Sequence, residues 1–223
     1  MREYLKRQKK LFSSEERKIM AGLNVMLAGT GGLGTNLAVQ LQRIGVNKIY
    51  LYDYDKVEVS NLNRQICYGR DDIGKAKVDC AAEFLKKFKL DTEIVAKNEK
   101  IREDMELPDD LDIIFDALDN FNTRFIVDKL AQKYELPFIH AGVENFFAQI
   151  MLILPESEKR LKDIFAGAEK DEVPAVFSPA VTIAASFQVL EALKYLLGRD
   201  NYLSDSILHL DFMNSEIEKI ELK

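Results

Sequence analysis

Residues 24–34 read Asn-Val-Met-Leu-Ala-Gly-Thr-Gly-Gly-Leu-Gly. An apolar run of strand length leads into Gly29-Thr30-Gly31-Gly32-Leu33-Gly34, a Gly-x-Gly-x-x-Gly pattern. The run has the form of a strand buried on both faces. After the glycines, Leu37, Val39, Leu41 and Ile44 recur at spacings that a helix over Asn36–Ile44 can bury, and Gly45 supplies its stop. A glycine-rich turn between a strand and a helix lets the backbone approach a phosphate without Cβ clashes. The helix N-terminus adds free N–H donors and a favourable dipole. Asp53 lies 19 residues beyond Gly34, at the end of the next predicted strand (Lys48–Asp53), where a carboxylate can accept from ribose hydroxyls. On these residues alone, an NAD-binding turn is the natural reading.

Outward from this unit, strands and helices alternate. A helix is expected over 76–89, strands over 93–97 and 112–118, a helix over 124–134, and strands over 137–142 and 149–154. That alternation predicts an α/β fold with a mostly parallel sheet covered on both faces. Residues 155–178 break the rhythm with charge and proline, and read as a long crossover loop with a short helix near Leu161–Phe165. Val181–Leu197 is an apolar helix stopped by Gly198. The tail, Ile207–Leu222, alternates as two antiparallel strands around Asn214-Ser215. At the other end, residues 1–20 form a charged helical arm, with a helix start at Ser13-Ser14 ahead of Glu15-Glu16. At 223 residues, the chain is expected to be one domain, 1–223.

Bulk properties remove several classes. A net charge of -6 argues against a nucleic-acid or membrane-surface binder, which would carry a basic footprint. The longest apolar stretch, Pro179–Leu190, is interrupted by Thr182, Ser186 and Gln188 and is too short to span a bilayer. Two cysteines, Cys67 and Cys80, are too few for a disulfide framework or a four-thiolate zinc site, so no zinc is expected and a reducing cytoplasm is the natural setting.

The residues beyond Asp53 move the reading from NAD to ATP. Asp53-Tyr54-Asp55, Ser60-Asn61-Leu62-Asn63-Arg64-Gln65, Ile73-Gly74-Lys75-Ala76-Lys77 and Asp116-Ala117-Leu118-Asp119-Asn120 follow the glycine turn in order. Attack of a carboxylate on the α-phosphorus of ATP brings like charges together and expels pyrophosphate, so the site needs fixed cations and a metal ion. Arg64 can bind phosphate bidentately and Lys77 acts as a point charge. Asp119 is the candidate Mg²⁺ ligand, because Mg²⁺ takes one or two carboxylates together with phosphate oxygens. Asn61 and Gln65 can donate amide hydrogen bonds to ribose or phosphate. Bland alternatives stand beside these: Arg64 and Lys77 as surface charges, Asp119 as a helix cap, Asp55 as a loop-ordering group, Cys67 as an inert buried thiol.

Taken together these five segments resemble the ThiF/MoeB/HesA family, relatives of ubiquitin-activating enzymes. Gln188, Glu191, Ala192 and Lys194 extend the resemblance into the late helix. The resemblance implies a Rossmann-like, doubly wound sheet and an adenylyltransferase that uses ATP and Mg²⁺. Its expected substrate is the C-terminal glycine carboxylate of a small ubiquitin-like sulfur-carrier protein ending in Gly-Gly, in cofactor biosynthesis. It assigns Gly29, Gly31, Gly32, Gly34, Asp53, Asp55, Asn61 and Gln65 to nucleotide binding, and Arg64, Lys77 and Asp119 to catalysis. It also implies a homodimer in which Arg7, within Tyr4-Leu5-Lys6-Arg7-Gln8, reaches the partner's site. The sequence departs from the family in lacking Cys-x-x-Cys pairs and in having no cysteine around Asp171, so a thioester step through the crossover loop is not expected. Adenylation of a small-molecule or peptide carboxylate, or NAD-dependent redox chemistry, are the alternative functions.

Overall fold

A computed structural model describes residues 3–167 and 175–222. Eight strands form one sheet: β1 (Asn24–Ala28), β2 (Lys48–Asp53), β3 (Glu93–Asn98), β4 (Ile113–Asp116), β5 (Phe138–Glu144), β6 (Phe147–Ile153), β7 (Ser206–Asp211) and β8 (Glu216–Glu221). Their spatial order is β3-β2-β1-β4-β5-β6-β7-β8. The first five strands pair in parallel and the last three are added antiparallel. The mostly parallel sheet with antiparallel C-terminal strands is as the sequence predicts, while the antiparallel pairing of β6 on β5 is an addition to it.

The continuous apolar runs follow from burial on both faces. Along β1, Val25 and Leu27 face one core while Met26 and Ala28 face the other. Along β2, Ile49 and Leu51 are split from Tyr50 and Tyr52 in the same way. The first core is closed by residues of α2 (Gly32–Ile44), α3 (Lys77–Lys86) and α6 (Ser178–Leu196), and the second by α4 (Phe121–Lys133) and the one-turn α5 (Leu161–Ile164). Among the described residues, no helix is long and apolar enough to cross a membrane.

At the N-terminal arm, α1 (Ser14–Gly22) starts where Ser13 and Glu16 form a reciprocal capping box. Ahead of it, Glu3–Gln8 is a 3₁₀ turn. Three boundaries differ from the sequence reading for local reasons. Helix α2 begins at Gly32 rather than Asn36, because Gly31 serves as its N-cap and accepts from Thr35 N–H at 3.0 Å. Helix α4 begins at Phe121, capped by the Asn120 side chain, which accepts from Thr123 N–H at 2.9 Å. Helix α6 takes Pro179 into its first turn, where the missing N–H costs nothing. The crossover segment holds its expected short helix at Leu161–Ile164, while the position around Asp171 lies outside the described residues.

The strand order reverses between β1 and β4. The loop after β1 is the glycine turn and the loop after β4 carries Asp119, so both open into the crevice at that switch point, beyond the carboxyl ends of the strands.

Candidate active site

A cleft of about 850 Å³ occupies this crevice. Gly29, Gly31 and Gly32 line its floor; Asp53, Asp55, Arg64, Gln65 and Lys77 line one side, and Asp119 with the start of α4 the other. It runs on past Gly142 and the β5–β6 hairpin to His209 on β7, with Ala175 and Val176 closing over it.

The glycine turn is held by backbone contact. Gly29 sits at φ 101°, and a Cβ there would lie 2.6 Å from the Ala117 carbonyl oxygen. A Cβ on Gly34 would lie 2.1 Å from Gly29 O. Gly34 therefore does not line the cleft; it lets α2 pack onto its own turn, and through Ala117 the glycine turn packs onto the loop that carries Asp119. The Thr30 N–H and hydroxyl both donate to Asp53 Oδ2, at 2.8 and 2.9 Å, and Tyr68 Oη donates to Thr30 O at 2.7 Å.

Asp53 is thus first a clamp on the glycine turn. Its Oδ1 accepts from Asp55 N–H at 2.9 Å. Three of roughly four carboxylate lone-pair positions are filled, which leaves one for a ribose hydroxyl. Asp55 turns away to Lys77: it accepts the Lys77 N–H through its carbonyl, at 2.9 Å, and the ammonium through Oδ2, also at 2.9 Å. The lone bridge between Lys56 and Ala76 ties the two loops and brings the Lys77 ammonium to the cleft wall. Lys77 is buried and Asp55 half exposed, so Asp55 orders the cation.

Arg64 lies with its aliphatic stem over Gly32, whose absent Cβ would meet Arg64 Cγ at 3.3 Å. Among the described residues its guanidinium donates to its own loop, to Ser60 O at 3.1 Å and Asn63 Oδ1 at 2.8 Å. It sits over the start of α2 with donors to spare. Gln65 is buried beside Gly31, and its Oε1 has no partner among the described residues.

Asp119 is exposed to the cleft and, among the described residues, accepts from Asn120 Nδ2 alone, at 3.3 Å. It is not the helix cap, a role that falls to Asn120. Among the described residues, no group of three or more His, Cys, Asp or Glu could hold a metal by itself. A cation at Asp119 would complete its shell from phosphate oxygens and water, as Mg²⁺ does.

Besides Gly34, two further assigned residues are not brought to the cleft. Asn61 is buried and closes its own turn by accepting Glu58 N–H at 3.0 Å. Arg7 is exposed on the N-terminal 3₁₀ turn, outside the cleft of its own chain. Cys67 is buried against Thr35, and burial pushes its thiol up to about 12. It therefore stays protonated at neutral pH. Iodoacetamide at about pH 8 should leave Cys67 unmodified in the folded protein and label it in urea, read by mass spectrometry. Labelling of the folded protein would assign it an accessible thiolate.

Behind the cleft wall lies a buried cluster whose pairing the sequence reading does not reach: Asp116, quoted there in its segment, Arg124 and His140, which as the end of a buried strand reads as structural or pocket wall, with Gln188 of α6 donating to Asp116 O at 2.8 Å. Arg124 carries a readable signal, falling on the face of α4 that turns back toward the end of β4. Nothing in the sequence marks Tyr68 or the Thr30 hydroxyl.

Comparison with known proteins follows the same lines. The model of the ThiF family matches residues 5–223. The sulfur carrier protein ThiS adenylyltransferase of Bacillus subtilis is 33% identical over 192 residues, covering 82% of this chain and 57% of that protein. The SAMP-activating enzyme E1 of Haloferax volcanii is 28% identical over 204 residues, covering 88% and 75%. The crystal structure of Escherichia coli MccB with ATP has a TM-score of 0.82 at 24% identity, covering 93% of this chain and 65% of that one, a likeness of fold. The chain spans about half to three quarters of the length of the curated relatives it matches.

Proposed function

This chain belongs to the ThiF family, and from that premise we propose that it is an adenylyltransferase: its cleft binds ATP and passes the adenylyl group to the C-terminal glycine carboxylate of a small ubiquitin-like carrier protein. Its relatives include enzymes named for activating such carriers, ThiS and SAMP. The observation that carries the reading is the convergence of a glycine turn, closed to a Cβ by backbone at Gly29, two cations and an exposed carboxylate on one cleft at the strand ends. Gln65 Oε1 at the cradle, without a partner among the described residues, adds a polar atom in need of a ligand.

In this reading the carboxylate oxygen attacks the α-phosphorus. A new O–P bond forms as the bond to the β-phosphate bridging oxygen breaks, and pyrophosphate leaves with the electron pair. No base is needed, because the carboxylate is already ionised. The start of α2 and Gly29–Gly32 cradle phosphate, Asp53 holds ribose through its remaining lone pair, and Gln65 adds a side-chain contact. Arg64 and Lys77 meet the charge that grows on the leaving group. Asp119 would hold Mg²⁺, whose chemistry is to neutralise the phosphates. The far arm of the cleft, toward His209 and Val176, takes the extended carrier tail.

A homodimer with Arg7 supplied to the partner's cleft belongs to the same proposal. So does a reducing cytoplasmic setting, consistent with two free, buried thiols. The test is ATP–pyrophosphate exchange. Exchange should require Mg²⁺ and a carrier ending in Gly-Gly, and should fail when those glycines are removed. Exchange only with a short peptide or small acid would reassign the substrate. Binding of NADH without binding of MgATP would end the adenylation reading.

A further inference from the structure

Asp119 can hold a cation in a fixed place only if its loop is fixed, and the loop is short: Ala117 and Leu118 separate it from the end of β4. The Leu118 peptide is gripped at both polar atoms. Its N–H donates to Asp116 Oδ1 at 3.0 Å, and its carbonyl accepts from Arg124 Nη2 at 2.6 Å. The same Arg124 nitrogen donates to Ala141 O at 3.1 Å, tying the loop to β5. Arg124 Nε lies 3.2 Å from Asp116 Oδ2 as an ion pair without an aligned hydrogen bond. Asp116 is wholly buried, and a buried carboxylate needs every lone pair answered. The remaining answer is His140, on β5, whose Nδ1 is 2.6 Å from Asp116 Oδ2.

His140 is itself fully buried, and its Nε2 has no partner among the described residues. Phe121 of α4, which lines the cleft, and Phe165 of the crossover segment pack against the ring, with centroids 6.4 and 5.3 Å away. The charged groups near it are Asp116 on β4 and Arg124 and Asp128 on α4; α6 offers only the amide of Gln188. Burial holds the imidazole below its ordinary range, against the pull of Asp116. The ring is neutral, so Nδ1 carries the proton and Nε2 is a bare acceptor. As packing, this is poor design, because an apolar side chain would leave no orphaned nitrogen. The Nδ1–H bond to Asp116 is what the position gains from histidine.

We infer that His140 is a positioning residue for the nucleotide site: its Nδ1–H bond orients Asp116, which with Arg124 fixes the Leu118 peptide and so aims Asp119 at the metal–phosphate position. The inference rests on the adenylation reading for the role of Asp119, and the chain of contacts stands in the free protein.

Three measurements test it. Nitrogen NMR of the histidine-labelled wild type should show His140 as the neutral Nδ1–H tautomer across about pH 6 to 8; an Nε2–H tautomer or a charged ring overturns the inference. In His140→Leu, the Leu118 amide should exchange at least about tenfold faster, with β1 amides unchanged. The Mg²⁺ concentration for half-maximal pyrophosphate exchange should rise by about tenfold or more, a size usual for the loss of a group that orients a metal ligand. His140→Asn, which returns an amide N–H near the Nδ1 position, should recover both. A folded His140→Leu with wild-type Leu118 exchange and Mg²⁺ midpoint overturns the inference, and so does a failure of His140→Asn to recover either. If His140→Leu does not fold, the tautomer and His140→Asn decide. A wild type that exchanges no pyrophosphate fails the adenylation reading instead, and the Leu118 amide still reports on the His140 contact.

Discussion

Asp119→Ala should lower ATP–pyrophosphate exchange by about a hundredfold to a thousandfold and leave the melting temperature nearly unchanged. The separation of the two effects comes from the contacts. Asp119 is exposed, accepts among the described residues a single long bond, from the neighbouring Asn120, and does not cap α4, since Asn120 does that. Its removal breaks nothing that holds the loop, because Leu118 is gripped by Asp116 and Arg124. Asp119→Asn keeps shape and polarity but loses the charge, and should be nearly as inactive, because a hard divalent cation needs the anionic oxygen. Arg64→Ala should fall as far by a different route, visible in the metal titration: its Mg²⁺ midpoint stays near wild type while the maximal rate drops. Among the described residues Arg64 bonds to its own loop alone, so the fold should survive this change as well. A folded Asp119→Ala enzyme with more than about a tenth of wild-type exchange would remove the carboxylate from the mechanism.

Much of this was legible in the sequence, and the reasons are particular. The period-2 split of Val25/Leu27 from Met26/Ala28 lies inside a run that reads as wholly apolar, which is how a two-sided buried strand announces itself. The glycine turn, Arg64, Lys77 and Asp119 were readable because each sits just after a strand or in the loop it leads to, and strand ends in such sheets share one crevice. What could not be read is how the side chains pair across the fold. Asp53 reads as a ribose ligand, yet most of its lone pairs hold Thr30 and Asp55. Asn61 has the right amide, but a local turn absorbs it. The buried Asp116–His140 bond joins residues 24 apart on neighbouring strands, a pairing fixed by the register of β4 against β5. Sequence spacing carries no such register.

Gly34→Ala should be the most damaging single-methyl change in the site. The added Cβ would lie 2.1 Å from Gly29 O and 3.3 Å from Ala117 Cβ. The first contact is with backbone, so no rotamer change relieves it; either α2 lifts from its turn or the turn moves toward Ala117. Overpacking of a core costs about 1–3 kcal/mol where side chains can give. Here the cost should reach or pass the top of that range, a melting temperature lower by about 6 °C or more for a chain of this size. Nucleotide binding should be lost as well, because the displaced turn is the cradle, and because it presses through Ala117 on the loop that aims Asp119. Two other glycines separate the causes. Gly74 has φ 86° with nothing within 4 Å of its would-be Cβ, so Gly74→Ala measures backbone strain alone and should cost about 1 kcal/mol. Gly22 closes α1 with open space around it and should tolerate alanine. If Gly34→Ala melts with Gly22→Ala and still binds MgATP, the close approach of α2 to its own turn is not what builds the site.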